Sequence, residues 1–449
     1  MNQPSSSPTS HLTQPSVAAL WHIAAPLSGA MLSQAVLGLV DTALVGNLGG
    51  LALASISIGS YLVFILVALL TGFGTGLHGL VSQHNQSHQD WLVTGLVLGL
   101  FMSVALGVLG AFSLNNIINL FVLDDRINSL AAHYSQWRLW SLPAIVISIV
   151  IRIYWSDRGI PWHYTKTVVL AHLLNVPISY GLIYGIAGLP AMGAVGAGVG
   201  TSIALWIGVF LQLNLLFQKK VKLTLNSPFF SVAKLLMVLR FIWPPMLQQL
   251  TFALHLAVFL WILSQLGASV MAASFSVLNV GLLLILPAIG LGQAALTLMG
   301  TSLANNDKVL AVSWGGLIIR CGSLIAIMLA IFVSITNHWL AQLLLVNAEL
   351  QQLTATALPW YSAAMVLETG IIILSRFLFV AGLRKTTLLM MTAGQWLLFL
   401  PLLAWLAPSY GFMFVWWLHI AYRVLVWLLL WVVWQRVINQ PQLASSIPK

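Results

Sequence analysis

The chain is poor in acid. Among its 449 residues, eight Asp and Glu stand against eighteen Lys and Arg, and charged residues of all kinds make up 6%. A soluble domain carries about a quarter charged residues, so that class is excluded. The single cysteine, Cys321, falls inside an apolar run, which excludes a disulfide framework and a thiolate metal cluster. No Walker A sequence, HExxH helix or nucleophile elbow occurs, so no ATP-driven step and no enzyme is expected, and no cofactor. The opening residues MNQPSSSPTSHLTQP lack a basic stretch leading into a short apolar core, and read as a disordered tail over 1–16 rather than a cleaved signal.

What is abundant is apolar: 60% of residues are hydrophobic and mean hydropathy is +0.97. A window of about 19 residues resolves twelve spans, near 17–43, 51–78, 91–114, 131–154, 164–184, 191–217, 237–264, 272–300, 311–335, 355–381, 387–406 and 412–435. These are too long, and too little alternating, for the strands of an outer-membrane barrel. The expected fold is an all-α polytopic membrane protein with twelve transmembrane helices.

The formal net charge of +10 is distributed as topology, not as a nucleic-acid patch. With the amino terminus inside, the cytoplasmic loops and tail hold Arg158, Lys166, Lys219, Lys220, Lys222, Lys234, Lys308, Arg384, Lys385, Arg436 and Lys449, whereas the outer loops hold Arg126, with Arg138 near a helix start. That asymmetry places both termini in the cytoplasm.

Sliding the chain by 218 residues lays Pro26 on Pro244, Leu48-Gly49 on Leu266-Gly267, Gly72 and Gly74 on Gly290 and Gly292, and Gly193 on Gly411. Two six-helix repeats in the same orientation follow, related by an axis along the membrane normal. The expected organisation is an amino-terminal lobe over 17–217, a cytoplasmic linker over 218–236 (QKKVKLTLNSPFFSVAKLL), a carboxyl-terminal lobe over 237–437 and a cytoplasmic tail over 438–449. A cleft between two lobes is the natural place for a substrate.

Six of the eight acids, Asp90, Asp124, Asp125, Asp157, Asp307 and Glu349, fall in loops or at span ends. Asp41 and Glu368 lie inside the membrane, where burying an ionised carboxylate costs about 2.5–3.5 kcal/mol on insertion scales. Asp41 must bind a cation, bind a proton or face water. Gln34, Gly38 and Asp41 share one helical face, and Gly38 leaves room for close approach. His172, Asn175 and Ser179 form a polar stripe on the fifth span, beside Pro177, which frees a carbonyl. His172 and Gln34 are candidate proton-relay groups, although a structural histidine and interhelical hydrogen bonding explain the stripe as well. Glu368 and Tyr361 are a candidate substrate or cation site in the carboxyl half; alternatively Glu368 is neutralised by Arg376, Arg320 or Arg423. Trp21, Trp91, Trp339 and Trp360 fit headgroup belts, while Trp140, Tyr180, Trp261, Phe275, Tyr361 and Trp396 are candidates to line a drug cavity.

The segments VLGLVDTALVGNLG (36–49), LLNVPISYGLIYG (173–185) and GLPAMGAVGAGVGT (188–201) resemble the MATE family of multidrug and toxic compound extrusion transporters, and the resemblance extends over the whole chain. It implies a V-shaped pair of lobes in the cytoplasmic (inner) membrane of a prokaryote. The implied activity is export of small organic, often cationic compounds against inward protons or sodium ions. The expected partners are those substrates and membrane lipids, with no nucleic acid, and the expected state is a monomer. In that family the acid of the first helix couples transport to an ion, and Asp41 matches it. In the DinF-like branch it works with an Asn and an Asp on the fifth helix and a Thr on the sixth; Asn175 and Thr201 match, but Ser179 stands where the second acid would be. A sodium ion held by Asp41, Asn175 and Thr201 would have a weaker ligand set than such ions favour, so protons are the expected coupling ion. Pro26 matches a proline at which the first helix bends. The NorM-like branch adds acids on helices seven and ten; the seventh span has none, Ala253 lying near that place, and Glu368 is close to the second.

Two rival readings remain open at this stage. A flippase of lipid-linked oligosaccharides from the same superfamily would suit the intramembrane arginines Arg152, Arg320, Arg376 and Arg423, but not twelve spans or Asp41. A non-transporting scaffold gives no reason to keep a lone membrane carboxylate.

Overall fold

A computed structural model describes residues 14–84, 88–121, 124–186, 188–221 and 231–439. Most of the expected amino-terminal tail, residues 222–230 of the expected linker and all but two residues of the expected carboxyl tail lie outside the described residues. Hydrocarbon offers backbone amides no water to bond, so apolar runs of this length satisfy their N–H and C=O groups internally. Accordingly the described residues form helices and no strand. In chain order they are α1 (Val17–Gly46), α2 (Gly50–Ser82), α3 (His88–Phe121), α4 (Asp125–Leu139), α5 (Leu142–Asp157), α6 (Trp162–Tyr184), α7 (Ala194–Gln218), α8 (Val232–Gln265), α9 (Ala268–Ala304), α10 (Lys308–Ile335), α11 (Asn337–Leu344), α12 (Ala348–Val380), α13 (Arg384–Ala393), α14 (Leu400–Tyr410) and α15 (Phe412–Asn439).

Among the described residues, eleven helical segments are long and apolar enough to cross a membrane, and the pair α4–α5 supplies a twelfth as a broken span bent by 40°. The sequence reads that span as continuous over 131–154; the break follows from Pro143, in the first turn of α5, which cannot donate to the carbonyl of Leu139 and crowds it. The eleventh span joins α13 to α14 through a π-helical stretch, Gly394–Phe399, ahead of Pro401. Helix α8 begins at Val232, so the end of the expected linker is helical, and Lys234 pairs there with Asp90 at 3.0 Å.

The repeat is visible in the backbone. Gly49 and Gly267, at the turn after the first helix of each half, have φ of 103° and 118°, and Gly193 and Gly411, before the last helix, have φ of 54° and 77°. Side chains rarely adopt such angles, so glycine recurs at both pairs of positions.

The chain divides into two compact units. One holds the residues up to Ser28, a short piece from Ser82, and everything from Leu250; the other holds Gly29–Val81 and the chain from residue 86 to Gln249. The boundaries therefore run inside α1 and α8, whereas the lobes expected from the sequence meet in the linker. The reason is a pair of close helix contacts, one in each unit. A Cβ on Gly290 of α9 would collide with Ser28 of α1, and a Cβ on Gly72 of α2 would collide with the backbone of Pro245 and Met246 of α8. Ser28 and Met246 are themselves equivalent under the 218-residue shift. Each repeat thus lends the opening turns of its first helix to the other unit.

Substituting Gly290 by Leu must push α9 off α1. We expect the variant to melt in detergent roughly 3–10 °C lower, as overpacking of about 1–3 kcal/mol implies. Gly316→Leu, where an added Cβ meets nothing within 4 Å, is expected to melt like the parent; equal melting of the two variants contradicts the contact.

Candidate functional site

In the unit that contains most of α1, the carboxylate of Asp41 meets the last helix of its own repeat. The Thr201 hydroxyl lies 3.1 Å from Asp41 Oδ2 and 2.8 Å from the carbonyl oxygen of Ala197, so its one proton is shared between two acceptors. The other carboxylate oxygen, Oδ1, is buried and receives no hydrogen bond. Arg138, at the end of α4, exerts an attractive charge on Asp41 without closing to an ion pair. Beneath the site Val45, Ala52, Ile56, Tyr134, Ile183, Ala194 and Ala197 form an apolar core. The Tyr184 hydroxyl donates to the Leu44 carbonyl at 2.8 Å, tying α6 to the end of α1.

Asn175 and Ser179 are fully buried on α6, and the Ser179 hydroxyl donates to Asn175 Oδ1 at 3.1 Å. Gly200, the neighbour of Thr201, packs directly on Ser179, where a Cβ would collide. The two polar pairs, Asp41–Thr201 and Asn175–Ser179, are therefore adjacent across the α6–α7 packing, but no hydrogen bond joins them among the described residues. The Asn175 amide nitrogen is buried without a hydrogen-bond partner. No group of three His, Cys, Asp or Glu among the described residues could hold a metal ion. A sodium ion would depend on one carboxylate with neutral oxygens, of which Asn175 Oδ1 is already engaged.

His172 does not join that stripe. Its Nδ1 lies 2.8 Å from Ser33 Oγ, and Ser33 also donates to the Ala30 carbonyl at 2.8 Å. Which of the two donates depends on the His172 tautomer, and the contact clasps α6 to α1 between Pro26 and Asp41. Gln34 is exposed. Gly38 is not a point of close approach, since nothing lies within 4 Å of an added Cβ. Pro26 is buried inside an unbroken α1, two residues before the chain passes from one unit to the other.

Sequence reasoning set Asp157 aside as a span-end residue. It is buried, and its Oδ1 lies 3.1 Å from Nε2 of the equally buried His78 on α2. One turn from His78, Gly74 packs on Ile149 of α5, where a Cβ would collide, and lies beside the buried Arg152, whose Nε and Nη2 lack hydrogen-bond partners. The repeat-related Gly292 likewise packs on an isoleucine, Ile372 of α12, beside Arg376. The sequence signal was the spacing of His78 from Gly74 on one helical face, which says nothing about a partner on α5.

In the other unit the partner of Glu368 is Arg423 of α15, not Arg376 or Arg320; both members of the ion pair are buried. Arg423 also donates from Nε to His419 Nε2 at 3.4 Å. His419 sits among the rings of Phe259, Tyr361, Phe399, Trp416 and Tyr422, and His255 adds its ring to Phe259 and Phe399. Neither histidine was singled out in the sequence, because each is a lone polar residue in an apolar run. Of the four intramembrane arginines, Arg152 and Arg423 are buried, Arg376 is partly buried and Arg320 is exposed. Among the aromatic candidates, Tyr361 is a core residue, Trp396 donates to the Thr251 carbonyl at 3.3 Å, and Trp140, Tyr180, Trp261 and Phe275 are exposed.

With this geometry in hand, the family model described as MatE matches residues 26–181 and again 244–405. The two matches start at Pro26 and Pro244, the prolines that the internal repeat superimposes. The probable multidrug resistance protein NorM of Pasteurella multocida (strain Pm70) is 30% identical over 357 residues, covering 75% of this chain and 74% of that protein. The multidrug resistance protein NorM of Burkholderia vietnamiensis is 27% identical over 423 residues, 88% of each chain. Among solved structures, a MOP superfamily transporter from Pyrococcus furiosus Vc1 (DSM3638) superimposes with a TM-score of 0.89 at 18% identity, covering 98% of this chain and 99% of that one, a likeness of fold.

A double-mutant cycle on Ser33→Ala and His172→Ala measures the clasp between α1 and α6. A coupling energy of about 0.5–1.5 kcal/mol in unfolding stability is expected; additive losses contradict the hydrogen bond.

Proposed function

The chain belongs to the MatE family, and from that premise we propose that it is a multidrug exporter, expelling small organic, often cationic compounds in exchange for protons taken up at Asp41. The observation that carries the reading is the asymmetric carboxylate: one oxygen held by Thr201, the other buried and unbonded. An ionised oxygen in that position lacks both water and a donor, which is costly. A proton on Oδ1 removes most of that cost. Sodium is the weaker candidate, because the neighbouring Asn175 and Ser179 already bond each other and no second acid is present.

Protonation is the trigger in this account. Neutral Asp41 no longer holds its end of α1 toward water, so that end packs more closely against α7 and the helix bends at Pro26, where the ring removes one backbone hydrogen bond. The space available to the exported compound then shrinks, and release follows. Deprotonation reverses the change, which makes the exchange an antiport by alternating access. Both relatives named above are described as multidrug resistance proteins, which supports the breadth of the substrate class. The positive-inside bias supports both termini inside, and the exporter is proposed to act as a monomer in the cytoplasmic membrane.

Inverted vesicles loaded with the protein separate the two ions. A pH gradient in sodium-free buffer is expected to drive ethidium transport, and a sodium gradient at uniform pH is expected to drive none. Asp41→Asn should reach the membrane in parental amount and transport no faster than vesicles lacking the protein; ion-driven transport retained in that variant would falsify the role given to Asp41.

A further inference from the structure

The carboxyl-terminal repeat carries its own buried acid, and the structure already supplies a cation to it. We propose that Arg423 is a tethered counter-ion that permanently occupies Glu368, so that this repeat takes up no coupling ion; the proposal rests on the reading of Asp41 as the coupling carboxylate. Glu368 and Arg423 are 6% and 5% exposed, and their side chains form a direct ion pair. Arg423 is oriented by a third group, since its Nε donates to His419 Nε2. Rings of Tyr361 and Tyr422 border the pair, and those of Phe259, Phe399 and Trp416 close over His419. Helices α8 and α15 of this group contain no Asp or Glu, and the other acid of α12 is Glu349, in its first turn and about five turns from Glu368.

The repeat explains how one scaffold came to hold opposite charges. The 218-residue shift that lays Asp41 on Phe259 also lays Thr201 on His419. In one unit Thr201 donates to the carboxylate of Asp41; in the other Phe259 and His419 are again neighbours, their ring centres 6.2 Å apart. There the side chain at the Thr201 position accepts from a guanidinium instead. The same place on the last helix of each repeat thus orients an anion in one unit and a cation in the other. A mobile cation entering the second place would have to displace a guanidinium that cannot diffuse away, and a vacated guanidinium would be left buried without its counter-charge.

The consequence is that Glu368 serves to neutralise Arg423, and its charge is dispensable if its partner's charge is removed with it. The double variant Glu368→Leu/Arg423→Met is expected to keep pH-gradient-driven ethidium transport within about twofold of the parent, because a buried pair replaced by apolar groups of similar volume is often tolerated. A double variant abundant in the membrane but unable to use the gradient overturns the proposal. A second measurement decides the matter whatever that variant's yield. Purified Asp41→Asn protein, with Glu368 and Arg423 intact, should bind no ²²Na⁺ and release no protons on adding ethidium. One ion bound or released per chain in that variant would show Glu368 exchanging ions and overturn the tethered counter-ion. Ion-driven transport surviving in Asp41→Asn would instead sink the role of Asp41, so the two failures are distinguishable.

Discussion

An ionised group inside hydrocarbon must find a counter-charge, a proton or water, and the buried Glu368 and Asp157 and the partly buried Asp41 meet that demand in three ways. Glu368 has a guanidinium from α15. Asp157 has His78 of α2. Asp41 has half of a threonine proton on one oxygen and no hydrogen bond on the other. Of the three, Asp41 is the one whose carboxylate is in contact with neither an arginine nor a histidine. That difference, more than the presence of an acid in a membrane helix, is what singles Asp41 out for ion exchange.

The scaffold around these acids is built by small residues at repeat-related positions. Gly72 and Gly290 let the first helix of each repeat press its opening turns against the second helix of the other, and Gly74 and Gly292 pack on isoleucines of α5 and α12. Without side chains at these positions the helix backbones approach closely, which is how membrane helices associate when lipid is as apolar as their own surfaces. Because α1 and α8 each run from one compact unit to the other, a change in the packing of α1 near Asp41 is continuous, along one helix, with turns that belong to the other unit. Pro26 lies just ahead of that passage.

Much of the fold was legible in the sequence, because hydropathy and glycine spacing report local chemistry. The twelve spans and the repeat were read from residues whose roles are fixed by their own backbone, such as Gly49 and Gly267 at positive φ. The broken fourth span was missed, although Pro143 marks it, since hydropathy averages over a kink. The unit boundaries within α1 and α8 were invisible because contacts between distant helices set them. The candidate site divides the same way. The adjacency of Asp41, Thr201, Asn175 and Ser179 came from resemblance and stripe spacing, whereas the choice of Arg423 over Arg376 and Arg320 for Glu368, the pairing of Asp157 with His78, and the clasp of His172 on Ser33 depend on which helices meet. Single polar residues in apolar runs carry no signal of their partners.

The central claim is that export is paired with proton entry and needs no sodium. Reconstituted vesicles containing ethidium and the pH dye pyranine, diluted into sodium-free buffer at the same pH, test it most directly. The account predicts that ethidium leaving down its own gradient acidifies the lumen in step with its loss. Ethidium loss through the protein at constant lumenal pH, or loss that begins only when sodium is added, would contradict it.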